Sequence, residues 1–246
     1  SSSFPGDPHF LTFDSKAYDL QSVGAFTLVK TMPGAPTFGQ LWVQACQVPW
    51  HAPPTPTVNA GVAIKWNEDL ITIWRTGAVF INGVATAVSA AAPIDAAGKY
   101  HVSRVGSTLF VQLSSGAVIK ATAAGSYTNI EVTPSKDLKG AVTGLLGSWD
   151  CDPSNDIGTV ANFAPTPQLP TPLYAWAMQF SNHNDGTTLF TGAQELCLPG
   201  QAIDTHVPVL FGDLNTVDIA AGQQCCLSKG LTAAAADAAR LRNCIY

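Results

Sequence analysis

Oxygen-bearing side chains are concentrated in two short stretches of a chain that is otherwise poor in charge. The first stretch is GDPHFLTFD at residues 6–14 and the second is DCDPSND at residues 150–156. Only 12% of the 246 residues are Asp, Glu, Lys or Arg, about half the usual share. The second stretch has the density of carboxylate, amide and hydroxyl oxygens that is typical of loops binding a hard cation such as calcium: Asp150, Asp152, Ser154, Asn155 and Asp156.

The same residues are also common in solvated polar turns, because Asp and Asn side chains bond to their own backbone there. The stretch is not an EF-hand, since the glycine at loop position six and the glutamate at position twelve are both missing. The residues alone therefore leave a calcium loop and a polar turn open.

Charge and hydropathy exclude several classes of partner. The formal net charge is -5, and the 12 basic residues are scattered rather than grouped, so we expect no binding to nucleic acid or to an anionic membrane. No stretch approaches the roughly 18 apolar residues of a membrane span, so we expect no direct membrane insertion. We found no nucleophile elbow, zinc-protease motif or phosphate loop, and we expect a protein that is not an enzyme.

The six cysteines indicate disulfides and an oxidising compartment. Cys46 and Cys151 stand alone, whereas four cysteines lie in the last 50 residues: Cys197, Cys225, Cys226 and Cys244. None has the paired spacing of a zinc or redox motif. Buried free thiols in a cytosolic protein are the alternative. We predict an extracellular or cell-surface protein with two disulfides among the four tail cysteines. Their connectivity stays open, and the favoured arrangement pairs Cys197 with one of the vicinal cysteines and Cys244 with the other.

The hydrophobic pattern is mainly that of β-strands. Short runs with period two, separated by turn residues, predict strands at 24–30, 57–66, 70–74, 78–83, 100–105, 107–114, 117–123 and 129–134. Their spacing favours an antiparallel β-sandwich. The proline-rich segment 164–176 is predicted to be an extended connector, and the alanine-rich segment 231–246 a helix. We therefore predict two domains, a β domain at 1–180 and a small disulfide-stapled, partly helical module at 181–246.

The sequence GDPHFLTFDSKAYDLQSVGAFTLVK, followed by VTGLLGSWDCDPSND, resembles the von Willebrand factor type D domain. The resemblance covers roughly residues 4–180 and is closest to divergent microbial and algal members, while the tail is similar to the Cys-rich module that often follows such a domain. It implies an antiparallel β-sandwich with one structural calcium ion. The implied ligands are Asp14, Asp150, Asn155 and Asp156, with a backbone carbonyl near Asp152.

The chain also departs from this family pattern. Leu146 stands at a family cysteine, and Ser148 at an asparagine that would ligate calcium, so Ser148 is expected to be a weaker ligand. Cys151 occupies a position that is usually glycine. We expect a replacement disulfide between Cys46 and Cys151.

The resemblance implies a non-enzymatic assembly module of a secreted or cell-surface multidomain protein. We expect calcium to stabilise it, and its partners to be copies of itself or neighbouring matrix and surface proteins. One alternative is a calcium-dependent adhesion domain that binds glycans or other ligands. Another is self-cleavage of the Asp7–Pro8 bond, which some family members perform, with His9 protonating the leaving nitrogen. We expect Asp7, Pro8 and His9 to have a structural role instead.

Overall fold

Two antiparallel sheets make up most of this computed structural model, which describes residues 2–4, 9–20, 22–35, 37–50, 57–157, 171–182, 186–190 and 197. The first sheet has six strands in the order β1-β14-β13-β12-β11-β10. These strands are β1 (Ser2–Phe4), β10 (Ile94–Ala96), β11 (Tyr100–Val105), β12 (Thr108–Leu113), β13 (Val118–Ala123) and β14 (Thr128–Thr133).

The second sheet has seven strands in the order β15-β4-β5-β6-β7-β8-β9. They are β4 (Gly24–Thr31), β5 (Leu41–Pro49), β6 (Thr57–Trp66), β7 (Asp69–Trp74), β8 (Val79–Ile81), β9 (Val84–Thr86) and β15 (Val142–Thr143). A separate pair is formed by β2 (His9–Leu11) and β3 (Ala17–Asp19). The predicted antiparallel, mainly β architecture is confirmed.

The main core lies between the two sheets. Alternate residues of β12 and β13, such as Leu109, Val111 and Ile119, are fully buried while their neighbours are partly exposed. Ile64 and Ile73 from the second sheet belong to the same cluster. Period-two patterning therefore places one face of each sheet in the core, as the sequence predicts.

A covering segment, residues 186–190 together with Cys197, packs on the outer face of the seven-stranded sheet. Gln44, fully buried in β5, donates through Nε2 to the Thr187 carbonyl (3.0 Å), and its Oε1 accepts from the Leu189 amide (2.8 Å). Phe190 packs against Trp74 with ring centroids 5.4 Å apart. The sheet is thus buried on both faces here. The domain boundary at residue 180 stays a prediction.

A short helix replaces part of the extended connector that is predicted for 164–176. The helix α1 (Thr171–Ala177) begins with a proline in its first turn, where the missing amide hydrogen costs nothing. Leu173 and Ala177 are buried in the main core, and Trp176 meets the Tyr18 ring edge-on at 5.8 Å. The prediction is wrong for 171–176 because packing outweighs the local effect of proline. The predicted helix at 231–246 lies outside the described residues.

The disulfide pairing differs from the prediction. Cys46 is bonded to Cys197, with a Cα–Cα distance of 5.8 Å, and Cys151 is a free, exposed thiol. The predicted bridge between Cys46 and Cys151 is wrong, because Cys46 lies under the covering segment while Cys151 lies in the acidic loop, residues 147–156. Pairing Cys197 with a vicinal cysteine is wrong because Cys197 is already bonded to Cys46. The remaining predicted disulfide cysteines lie outside the described residues: Cys225, Cys226 and Cys244.

Within the described part of the chain, no helix is both long and apolar enough to cross a membrane.

Candidate metal centre

A tight turn after β2 presents Asp14. The Thr12 amide donates to the Lys16 carbonyl (2.9 Å), and the Lys16 amide donates back to Thr12 Oγ1 (2.8 Å). Ser15, inside the turn, has φ 71°, a left-handed conformation that is uncommon for residues other than glycine. The Phe13 amide donates to the Leu146 carbonyl (2.9 Å). The turn is therefore held directly against the segment that leads into the acidic loop.

The segment before the acidic loop, residues 145–146, is hydrogen-bonded to β4. The amides of Leu145 and Leu146 donate to the carbonyls of Thr27 (3.0 Å) and Leu28 (2.9 Å). The buried Tyr18 hydroxyl donates to the Leu145 carbonyl at 2.5 Å. Burial, followed by the nearby charge of Asp156, raises the pKa of Tyr18 well above its usual value, so this hydroxyl stays a donor. The start of the acidic loop is therefore held in place by these hydrogen bonds to β4 and Tyr18.

Hydrogen bonds join the two acidic stretches. Asp14 Oδ2 accepts from the Asp150 amide (2.9 Å). Asp150 in turn accepts from the Asp152 amide through Oδ1 and from Asn155 Nδ2 through Oδ2, each at 2.9 Å. The bond from Asn155 is the main reason why the pKa of Asp150 lies below its usual value. Carboxylates 136 residues apart in sequence thus belong to one local network.

Asp156 is the buried member of the network, with only 3% of its surface exposed. Its Oδ2 accepts from Thr12 Oγ1 (2.5 Å), and its Oδ1 accepts from the Ser148 amide (3.2 Å). Loss of solvation raises the pKa of Asp156, and the negative charges of Asp14 and Asp150 raise it further. The ionised carboxylate therefore lacks a stabilising positive charge.

The other predicted ligands lie in the same loop. Ser148 Oγ donates to Asn155 Oδ1 at 3.2 Å. Asp152 accepts from the Ser154 amide and hydroxyl, at 2.9 and 2.5 Å, and so closes its own turn. All six predicted metal ligands, Asp14, Ser148, Asp150, Asp152, Asn155 and Asp156, are thus in or bonded to one loop. For the cleavage motif, His9 begins β2, whereas Asp7 and Pro8 lie outside the described residues.

The loop suits calcium in donor chemistry and charge. Its side chains offer carboxylate, amide and hydroxyl oxygens, the ligands that calcium prefers. In the described part of the chain, no lysine or arginine forms an ion pair with Asp14, Asp150, Asp152 or Asp156. The carboxylates instead accept hydrogen bonds from amides and hydroxyls. Among the described residues, no three His, Cys, Asp or Glu side chains form a metal-binding group. Calcium therefore stays a prediction.

Two residues of this centre are absent from the sequence-based prediction. Thr12 donates to the buried Asp156, and its position two residues before Asp14 in LTFD is the signal that points to it. Gly147 has φ 82°, and a Cβ there would lie 2.1 Å from Asp156 Oδ1. In the sequence, Gly147 could be recognised from the Gly-Ser pair at the start of the loop, because glycine adopts a left-handed backbone without steric cost.

Replacing Gly147 by Ala is expected to lower the free energy of unfolding by about 1–3 kcal/mol more than replacing Gly116 by Ala. Both glycines have left-handed backbone, φ 82° and 92°, so the strain of adding a Cβ is similar. Only Gly147 has Asp156 in the way, whereas nothing lies within 4 Å of a Cβ at Gly116. Urea unfolding of both variants measures the difference. Equal losses would show that Asp156 does not occupy this position.

Comparison with known proteins gives one family and two much longer relatives. Residues 2–162 match the model of the von Willebrand factor type D domain. The human Sushi domain-containing protein 2 is 25% identical over 195 residues, which cover 75% of this chain and 23% of that protein. Bovine SCO-spondin is 30% identical over 152 residues, which cover 62% of this chain and 3% of that protein. The chain thus spans less than a quarter of the length of either relative.

Proposed function

The chain belongs to the von Willebrand factor type D domain family, and from this premise we propose that it is a calcium-stabilised, non-enzymatic assembly module of an extracellular multidomain protein. Its partners are copies of itself or neighbouring matrix proteins. The small share of each relative that it covers, 23% and 3%, supports a module that works beside other domains.

The observation that carries the proposal is the network around the buried Asp156. Its members bond to backbone amides and to one another, from the Asp14 turn to Asn155. Such a centre joins two distant parts of the chain, and the hydrogen bonds found among its described residues link carboxylate, amide and hydroxyl groups. Its geometry suits a structural clamp better than a catalytic site.

Calcium would be held by Asp14, Asp150, Asn155 and Asp156, with Ser148 and the region of Asp152 contributing further oxygens. When bound, the ion supplies the positive charge that the network lacks, and it lowers the cost of keeping Asp156 ionised. Thr12 and the Ser148 amide orient the Asp156 carboxylate. Because the ion binds the folded chain only, its binding energy adds to stability.

The disulfide supports an extracellular location. Cys46 and Cys197 are 0% and 1% exposed, and such bonds form and persist in oxidising compartments. A buried disulfide that closes a separation of 151 residues is typical of a secreted or surface protein.

Sedimentation velocity tests the assembly role. With calcium at about 1 mM, the weak end of the Kd range of extracellular calcium sites, the chain is expected to form dimers or larger species whose fraction rises with protein concentration, by mass action. Chelation should shift the distribution toward monomer, because the loop loses its ion. The Cys151→Ser variant is the matched control, since it removes the exposed thiol and with it any intermolecular disulfide through Cys151. A monomer at all concentrations, with and without calcium, would contradict self-association.

A further inference from the structure

Three turns from the two sheets meet at one end of the sandwich. The Gly125 amide donates to the Arg75 carbonyl (2.9 Å), and Arg75 Nη1 donates to the Ser126 carbonyl (3.0 Å). Arg104 Nη2 donates to the Gly77 carbonyl. We call this surface the arginine end and define it as residues 75–78, 104–108 and 123–127. Both guanidinium groups lie across the boundary between the sheets.

The arginine end is a positive region on an acidic protein. None of its residues is Asp or Glu, although the chain as a whole has a net charge of -5. Two cations elsewhere in the described part of the chain are paired, Lys99 with Asp69 and Lys120 with Glu131. Among the described residues, neither Arg75 nor Arg104 forms an ion pair. Their charge is therefore available to a ligand.

The two arginines are held in place but retain free donors. A guanidinium has five N–H donors, and the bonds to the Ser126 and Gly77 carbonyls use one on each side chain. Arg104 Nε is buried and has no hydrogen-bond partner among the described residues, so the donors left for a ligand are on the terminal nitrogens of the two side chains. Arginine at such positions suits a carboxylate or sulfate, because its planar fork matches two oxygens at once.

Small polar residues and an aromatic pair border these donors. Thr76, Ser107 and Ser126 are exposed in the three turns and offer hydroxyl groups. Trp50 is 41% exposed, and its ring centroid lies 6.1 Å from that of Tyr127. Tyr127 follows Ser126 in the sequence. A partly exposed aromatic ring beside fixed polar groups suits a sugar ring, which has both apolar and hydroxyl-bearing surfaces.

We propose that the arginine end binds an anionic saccharide. Arg75 and Arg104 receive its carboxylate or sulfate groups, and a sugar ring lies against Trp50. The site lies in turns carried by a rigid sandwich, the arrangement in which binding residues are commonly found. It uses none of the residues of the metal centre, so binding needs neither calcium nor self-association.

Titration with size-matched oligosaccharides in chelator tests the site. The probes are a sulfated heparin octasaccharide, a carboxylated hyaluronan octasaccharide and a neutral dextran fragment. We expect the wild-type chain to bind at least one anionic probe and not dextran, with affinity that falls as salt rises. The Arg75→Gln/Arg104→Gln variant should bind about tenfold more weakly or worse. The Lys136→Gln/Lys139→Gln variant makes the same change in net charge at exposed lysines elsewhere and should bind within twofold of wild type.

Each outcome decides the proposal. A preference for heparin assigns sulfate and a preference for hyaluronan assigns carboxylate, and both support it. Equal losses in the arginine and lysine variants would show general electrostatic attraction and overturn it, as would failure to bind either anionic probe. The Arg75→Lys/Arg104→Lys variant keeps the charge but loses the planar fork, so it should show weakened binding even if the glutamine variant does not fold. A normal association in calcium alongside failed saccharide binding would leave the assembly role intact.

Discussion

The Cys46→Ala/Cys197→Ala variant is expected to lose about 5 kcal/mol of unfolding free energy, since the disulfide closes a loop with a separation of 151 residues. In the chain-entropy model, a cross-link restricts the unfolded chain more as the loop lengthens. The covering segment would also lose its anchor beyond Phe190, and the packing of Phe190 on Trp74 would weaken. The loss should appear in urea unfolding as a lower midpoint.

The Cys151→Ser variant is the control for this experiment, because Cys151 is exposed and unbonded. Its stability should stay within about 0.5 kcal/mol of wild type. Reductant should lower the stability of wild type more than it lowers that of the double variant. Peptide mapping without reductant should recover the Cys46 and Cys197 peptides linked. Recovery of Cys46 linked to Cys151 would contradict the pairing.

Sequence patterns predict the longer strands but not β5. In β6 and β12 the predicted and observed bounds differ by at most a residue at each end, because turn residues end the hydrophobic runs. β5, Leu41–Pro49, is buried on both faces by the core and by the covering segment. Its neighbours β4 and β6 are buried to a similar extent, so burial alone does not hide it. Only two residues of β5 are β-branched, Val43 and Val48. Its glutamines Gln44 and Gln47 are polar although fully buried, so its composition does not mark it as a strand.

Long-range pairing explains the other differences. Nothing in the sequence around Cys46 shows that Cys197 lies on the same face of the sheet. The disulfide partner of Cys46 therefore could not be predicted from the spacing of the cysteines. The Asp14 turn and the acidic loop could be placed together, because the family resemblance supplies both ends of the contact. Thr12 and Gly147 have no charge, and their roles follow from close approach to Asp156. Such contacts depend on the folded backbone rather than on motif.

Calcium is expected to raise the unfolding free energy of wild type by about 2.7 kcal/mol at a concentration one hundred times its Kd. The reason is the charge of the centre, in which three carboxylates, Asp14, Asp150 and Asp156, influence one another electrostatically. Replacing Asp14 or Asp150 by Ala should remove most of the difference between calcium and chelator. Thermal melts in both solutions measure it, and equal melting temperatures for wild type would show a polar turn without an ion.

The Asp156→Asn variant separates the charge of this residue from its packing. Asparagine has nearly the same shape and can still accept from the Ser148 amide, but it carries no charge to bury. In chelator the variant should therefore be at least as stable as wild type, since the raised pKa of Asp156 marks a cost of keeping the carboxylate ionised. In calcium it should be less stable than wild type, because a ligand charge is lost.

The control is Asp95→Asn, at an exposed carboxylate of β10, which should leave the stability unchanged in both chelator and calcium. A variant that loses the same stability in both solutions would assign Asp156 a hydrogen-bonding role alone, whereas a reversal of order between chelator and calcium requires the ion.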